Sequence, residues 1–434
     1  MSASKVFRDS VHGLIELPHS CIRIIDTVEF QRLRRIKQLS ICDFVFPNAS
    51  HTRWEHSLGV AHVAGRVLTS IQTKQPELGI SAMDIEMIQL AGLVHDLGHS
   101  PFSHTFERVN SQFNHEQNGL GIWNRLVTKL DISADVANFV RGCFSPELRS
   151  PHRKWMYQLI NNTDGGIDCD RLDYCKRDAQ IASVKIGFDM DRLIFGWTIT
   201  KDGEFQFNSK LVGDVFAVHR ARFLLFDTIY NHKVVKAIDL MMVDILTLLL
   251  PDIDPQRDGD DIIYHFSKSR EPRHVKANAL LERILRRDLY KQTQDKSKAD
   301  VTCTVIAHYG AGNENPLKRT RFSRPLDESL VNCLCPSTFQ TKQTWHFITK
   351  TDVPENPDKL NDDALLEKQY REFITSTIRV NGGRMLLEIL VPAIQANFST
   401  SFEKVILAKV FVDILDSKIS LITGKEYASL KESS

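Results

Sequence analysis

Residues 92–104 read GLVHDLGHSPFSH, with three histidines and an aspartate closing an apolar run. Titratable groups leave water at acceptable cost only when each finds a partner or a metal ion. His95 and Asp96 are adjacent, so on a helix their side chains diverge by about 100° and reach one ion only at the helix edge. Gly98 and Pro101 end that helix and let His99 and His104 turn inward. His56, upstream in TRWEHSLG, and Asp170, downstream in GGIDCDRLDYCKRD, complete a set H…HD…D. Two neutral imidazoles and two carboxylates suit Fe, Zn, Mn or Ni better than Ca, with room left for water.

The surrounding pattern is helical. Glu29–Leu39 (EFQRLRRIKQL) carries Phe30, Leu33, Ile36 and Leu39 on roughly one face, with arginines between them. Glu55–Gln72 and Ala82–Gly98 read as amphipathic helices, as do 115–130, 132–144 and 168–182. Val212–Leu250 reads as one long, bent helix. Its most apolar part, LMMVDILTLLL, is short and contains Asp244, so it is a buried helix and not a membrane span. One hairpin signal interrupts the pattern: WTITKDGEFQF alternates on both sides of Asp202-Gly203.

After Leu250 the character changes. Pro251–Asp261 (PDIDPQRDGDD) is a loop, Lys276–Thr293 a helix and Asp300–Gly310 a strand. Gly310–Pro316 and Thr351–Asp363 are loops, and helical patterning returns from about Ala364. The expected division is 1–250 and 251–434. Lys and Arg total 55 against 54 Asp and Glu, so a net charge of +1 offers no general attraction to nucleic acid or anionic membranes. Eight cysteines without repeating spacing read as reduced thiols, and the N-terminus MSASKVFRDS lacks the apolar core of a signal peptide. An intracellular protein, nuclear or cytoplasmic, is expected.

The motif set resembles the HD-domain metal phosphohydrolases and, among them, the deoxynucleoside triphosphate (dNTP) triphosphohydrolases that couple a sterile-alpha-motif domain to an HD domain. The resemblance is carried by DSVHGLIELPHSCIRIIDTVEFQRLRRIKQLS, VFPNASHTRWEHSLGVAHVAG, LAGLVHDLGHSPFSHTFE, NHEQ and GIDCDRLDYCKRD, and more weakly by IYNHK, RRDLYKQ and HYGAGNENP. It fades after about Pro325, and no counterpart of the sterile-alpha-motif domain is expected. The implied fold is mainly α: a helical HD core (1–250) with a small β-hairpin, followed by a mixed α+β C-terminal lobe (251–434).

The resemblance implies a reaction, dNTP plus water giving deoxynucleoside and inorganic triphosphate. A transition-metal ion on His56, His95, Asp96 and Asp170 would lower the pKa of bound water and polarise the α-phosphate. Mg would accompany the bound nucleotide. His104 is implied beside the leaving 5′-oxygen, with His99, His115 and Glu107 as the acid–base network. The family usually has Asp where Glu107 stands. Arg53, Arg171 and Arg222 are implied as triphosphate clamps, although Lys is common at the position of Arg171. Tyr174 would pack on sugar and base, Gln38 and Asp178 would bind the 3′-hydroxyl, and Leu39 and Tyr230 would exclude a 2′-hydroxyl.

Regulation is implied as well. Lys5, Asp26 and Arg34 match a guanine-nucleotide (GTP or dGTP) activator site. Val45, Arg192, Lys210, His232, Lys233, Arg287 and Lys291 match a neighbouring activator pocket, from which Asn208 and Asp214 depart. Such sites lie between subunits, so a homo-oligomer, dimer to tetramer, is expected. Two other readings stand beside this one. One is a different HD-type nucleotide phosphohydrolase or phosphodiesterase. The other is a catalytically weak nucleotide sensor or nucleic-acid binder using RLRRIK and RILRRDLYK, with nucleic acid secondary in either case.

Overall fold

A computed structural model describes residues 4–150, 154–163 and 165–349, together with three short strands at 384–386, 419–422 and 427–430. The chain opens with a hairpin, β1 (Lys5–Asp9) and β2 (Gly13–Leu17), followed by α1 (His19–Ile25) and α2 (Val28–Gln31). The helical body comprises α3 (Arg53–Lys74), α4 (Ala82–Val94), α5 (His104–Val109), α6 (His115–Leu130), α7 (Ala134–Phe144), α8 (Lys154–Gln158), α9 (Cys169–Ile181) and α10 (Met190–Gly196). A second hairpin, β3 (Trp197–Ile199) and β4 (Phe205–Phe207), leads to α11 (Val212–Leu225) and α12 (Lys233–Leu249). Next come α13 (Ile262–His265), α14 (Pro272–Leu285), β5 (Lys291–Thr293), β6 (Val301–His308), α15 (Glu328–Leu334) and β7 (Gln340–Ile348). The last three strands form an antiparallel sheet in the order β5-β7-β6. The protein is mainly α, as the residue pattern implied.

α3 is the central helix. Val60, Val63, Ala64, Val67 and Leu68 are fully buried, which requires neighbours on several sides. A Cβ at Gly92 would stand 3.1 Å from the Ala61 backbone, so α4 crosses α3 in close contact because position 92 is a glycine. Caps set the helix starts. Glu55 Oε2 accepts from Thr52 N at 2.6 Å, Asp84 Oδ2 accepts from Ser81 N at 2.7 Å, and Asp168 Oδ1 accepts from Arg171 N at 2.8 Å. Two apolar clusters result. One surrounds α3, α4, α6 and α7, and the other joins α12 to Phe102, Phe106 and α14.

Several elements differ from the sequence reading. Glu29–Leu39 is not one helix: α2 passes into a 3-10 turn at Arg32–Arg35 and then extends. The extension is required because Lys37 bridges Thr52 and Gln38 N donates to His51 O at 2.9 Å, a ladder no helix can make. Val212–Leu250 is split by a π turn at Phe226–Tyr230, and α12 restarts under His232, which accepts from Val234 N. α14 stops at Leu285, and Lys291–Thr293 pairs with β7 as a strand. The N-terminal hairpin was not anticipated.

By compactness, Met1–Ile284 with Leu289–Thr349 form one unit, and Leu285–Asp288 with 350–434 another. Within the second unit the strands Arg384–Leu386, Ile419–Ile422 and Tyr427–Leu430 make an antiparallel sheet, where helical patterning had been read. The loop Thr351–Asp363 and most of the tail from Ala364 lie outside the described residues. None of the eight cysteines is in a disulfide. No helix among the described residues is long and apolar enough to cross a membrane.

Trp123 is fully buried on α6 and its Nε1 donates to Ala137 O at 3.2 Å. Trp123→Ala should destabilise the chain by about 3–5 kcal/mol, read as a lowered denaturant midpoint.

Candidate metal centre and active site

α3 presents His56, the end of α4 presents His95 and Asp96, and the first turn of α9 presents Asp170. His56 Nε2 lies 3.0 Å from Asp170 Oδ1 and 3.7 Å from Asp96 Oδ2. His95 Nε2 lies 3.4 Å from Asp96 Oδ1 and 3.6 Å from Asp170 Oδ1. The four expected ligands therefore converge.

The donor set fits a divalent cation. The Nδ1–H of His56 donates to Asp173 Oδ2 at 2.7 Å, and that of His95 donates to Gly92 O at 2.7 Å. Both Nε2 atoms are buried without an aligned hydrogen bond, so their lone pairs are directed at the shared point. Burial pulls the His56 imidazole down, but the Asp170 and Asp173 carboxylates outweigh it and carry it up to about 10. Burial pushes Asp170 up, and the facing His56 and His95 reverse this and hold it low. Imidazoles and carboxylates arranged in this way keep protons between them, and a cation would take the protons' place.

Asp173 is a site residue that the sequence reading missed. It is fully buried, and besides His56 it accepts from His12 Nε2 at 2.6 Å, Arg177 Nε at 2.9 Å and Arg177 Nη2 at 3.1 Å. Arg177 also donates to Asp9 Oδ2 at 2.9 Å, and Asp9 Oδ1 accepts from Val11 N and His12 N at 2.8 Å each. The turn between β1 and β2 is thereby part of the metal centre's support. The signal was present in DSVHG and in the spacing of Asp170, Asp173 and Arg177 along one helix.

Beyond the ligands lies an imidazole cluster. His99 stacks on His115 with ring centroids 4.2 Å apart, and its Nε2 is 3.3 Å from Asp96 Oδ1. Burial, with Arg53 adding, keeps His99 neutral. Glu107 bridges His104 Nδ1 at 2.8 Å and His115 Nδ1 at 2.5 Å. The His104 side chain is 72% exposed, so its ring is open to a reacting group. The four residues expected as an acid–base network are thus in contact.

The expected binding residues fall into three groups. Arg53 is spent on the metal centre: Nη1 donates to Asp96 and Nε donates to Ser103 Oγ at 3.0 Å. Arg222 donates to His308 O at 2.6 Å and stacks on Phe226. Arg171 is different. Its Nε and Nη1 are buried without partners, and a Cβ at Gly166 (φ 68°) or Gly310 (φ 109°) would come within 2.9 Å of Nη1. His219, missed in the sequence, adjoins it, donates Nδ1–H to Tyr309 O at 2.8 Å and leaves Nε2 buried and unpartnered. Burial and then Arg171 pull His219 down to about 3, and burial and then Arg222 pull His308 down to about 4. Burial is the larger cause for both imidazoles, and the neighbouring arginines add to it.

Asp178 accepts from His51 Nε2 at 2.7 Å and from Tyr230 O–H at 2.5 Å. Gln38 Oε1 is buried without a partner, and Leu39, Tyr174 and Tyr230 pack against one apolar cluster.

Residues 53–193 match the HD domain family. A Dictyostelium discoideum protein described as a deoxynucleoside triphosphate triphosphohydrolase SAMHD1 homolog is 34% identical, over 80% of this chain and 75% of its own length. The chain belongs to the SAMHD1 family of HD-domain triphosphohydrolases. A putative HD domain-containing protein of Acanthamoeba polyphaga mimivirus is 32% identical over 67% of this chain and 73% of its own length. The SAMHD1 triphosphohydrolase of Gallus gallus is 33% identical over 66% of this chain, which spans 55% of it. As a family member the chain is a hydrolase, and the HD domain implies a divalent metal for which His56, His95 and Asp96 are suitably clustered.

Asp173 orients a SAMHD1-family metal ligand without being one. Asp173→Asn should lower metal affinity by about 10- to 100-fold, measured by calorimetric titration of the metal-free protein and by metal content after purification.

Proposed function

We propose that this chain is a metal-dependent dNTP triphosphohydrolase that releases deoxynucleoside and inorganic triphosphate. The observation that carries the reading is the four-ligand cluster beside Arg171, whose buried guanidinium has N–H groups without partners. A buried donor of that kind is costly until an acceptor completes it, and a phosphate oxygen suits a guanidinium well. His56, His95, Asp96 and Asp170 would hold one ion, Fe, Zn, Mn or Ni. When bound, it supplies Lewis acidity toward water and the α-phosphate.

The chain's own residues do the rest. Arg171 takes phosphate oxygens in a pocket where His219 and His308 are neutral. Mg accompanies the remaining phosphates. As the bond from the α-phosphorus to the 5′-oxygen breaks, His104 gives that oxygen a proton, and Glu107 stabilises the charged ring and passes the demand on to His115. Asp178 is fixed by His51 and Tyr230 near Gln38, and this group meets the 3′-hydroxyl. Leu39 and Tyr230 leave the sugar no space for a 2′-hydroxyl.

Activation by GTP or dGTP with assembly to a tetramer is the regulatory half of the proposal. In support, Lys5, Asp26 and Arg34 are exposed, and Arg34 lies 3.5 Å over the Trp54 ring, a ready stacking platform. The second pocket has weaker support. Arg192 is paired with Asp214 at 3.0 Å, while Lys210, Lys233 and Lys291 are exposed and His232 packs on Phe46 beside Val45.

Incubation with dGTP should yield deoxyguanosine and inorganic triphosphate in equal amounts, and a chelator should abolish both. Formation of dGMP or orthophosphate in their place would overturn the reaction. Added GTP should raise turnover and the tetramer fraction together. An unchanged mass with GTP-independent turnover would remove the regulatory half and leave the chemistry standing.

A further inference from the structure

The loop PDIDPQRDGDD has no part in the chemistry above, yet it straps two segments of the site together. Arg32 Nη1 donates to Pro255 O at 3.2 Å and Asp258 O at 3.3 Å, while its Nη2 donates to Leu97 O at 2.8 Å. Arg35 Nη2 donates to Arg257 O at 2.7 Å. Gly259 lets the loop lie flush, since a Cβ there would stand 2.4 Å from Arg35 Cβ.

Asp260 is the point where these contacts meet. It is 6% exposed. Its Oδ1 accepts from Phe102 N at 2.7 Å, its Oδ2 accepts from Lys37 N at 2.8 Å, and its own N donates to Arg35 O at 2.7 Å. Phe102 and Ser103 stand at φ 56° and 47°, a region unfavourable for residues with a Cβ, and Ser103 directly precedes His104. Such a turn persists only where its surroundings hold it. Asp260 grips it at the Phe102 amide, and Arg53 grips it at Ser103 Oγ.

We propose that Asp260 is a positioning residue for the hydrolysis: its carboxylate holds the Phe102–Ser103 turn that aims His104 and, through Lys37, fixes the adjoining Gln38 and Leu39. The proposal rests on the dNTP triphosphohydrolase reading for its substrate. One carboxylate thus keeps the proton donor and the sugar wall in a common frame, although they come from segments far apart in the chain.

Asp260→Asn replaces one acceptor oxygen with an N–H donor and so breaks one of the two grips. A misplacement of order 1 Å can cost about a hundredfold in rate, so kcat on dGTP should fall about 10- to 100-fold. Loss of the Phe102 grip acts on kcat, loss of the Lys37 grip acts also on KM through Gln38 and Leu39, and metal content should not change. The decisive comparison uses Ser103→Gly, because glycine occupies positive φ freely. Because this change also removes the Arg53 grip on Ser103, the Asp260→Asn factor should differ by at least about threefold in that background, in either direction, if the two sites share one turn. An equal factor in both backgrounds, or a loss confined to metal content, overturns the proposal. Amide exchange of the unaltered chain judges the grip without turnover and without a variant. Protection of the Phe102 and Lys37 amides is expected, and fast exchange at Phe102 overturns it whatever the substrate proves to be.

Discussion

The molecule depends on a buried carboxylate. Asp173 is fully buried, and an unpaired charge there would be costly beyond what a domain's net stability allows. His12, His56 and Arg177 surround it. Burial pushes its carboxyl up, but Arg177, His12 and His56 together hold it well below the ordinary range. Those partners come from the N-terminal turn, α3 and α9, so the three elements cannot slide without uncovering the charge. Gly59 makes the approach possible, since a Cβ there would lie 1.9 Å from Asp173 Oδ1. The tautomer of His56, and with it the direction of its metal-facing lone pair, follows from the same contact.

What the residues revealed and what they hid divide along physical lines. His56, His95, Asp96 and Asp170, which folding brings near one another, stood out because metal chemistry admits few residue types. α3, α4, α6, α7 and α9 were legible because long apolar periodicity survives in any tertiary setting. The 29–39 segment failed because its periodic residues are buried by an extended chain that pairs with Thr52, and periodicity does not record pairing partners. The break at Phe226–Tyr230 was hidden for a similar reason: it directs Tyr230 at Asp178, a long-range contact with no local signature. His219 was hidden because a lone histidine in an apolar helix reads as core. Only Gly310 and Arg171, brought beside it by folding, give it a polar role.

The site has two faces of different electrostatic character that share Asp96. On the metal face, carboxylates hold His56 and His95 toward the charged form. On the acid–base face, burial and Arg53 push His99 the other way. Arg53 sits at the seam, bonded to Asp96 and to Ser103. It therefore links the metal ligand to the turn carrying His104, a structural duty that adds to the phosphate contact implied by resemblance. Glu107, where the family usually has Asp, has the reach to span His104 and His115 with separate oxygens. Its carboxyl is pushed up by burial but held low by both imidazoles, so it is an acceptor for both.

Arg171 shows how such a site binds without a net positive chain. Two glycines close on the guanidinium, and its Nε and Nη1 are buried without partners. A guanidinium edge held in this way attracts an anion more strongly than a fully solvated surface charge does. The neighbouring imidazoles, driven neutral first by burial and then by the arginines, add hydrogen-bonding capacity without adding charge. Positive charge is therefore concentrated at one point and not spread over a basic surface, in a chain with 55 basic and 54 acidic residues.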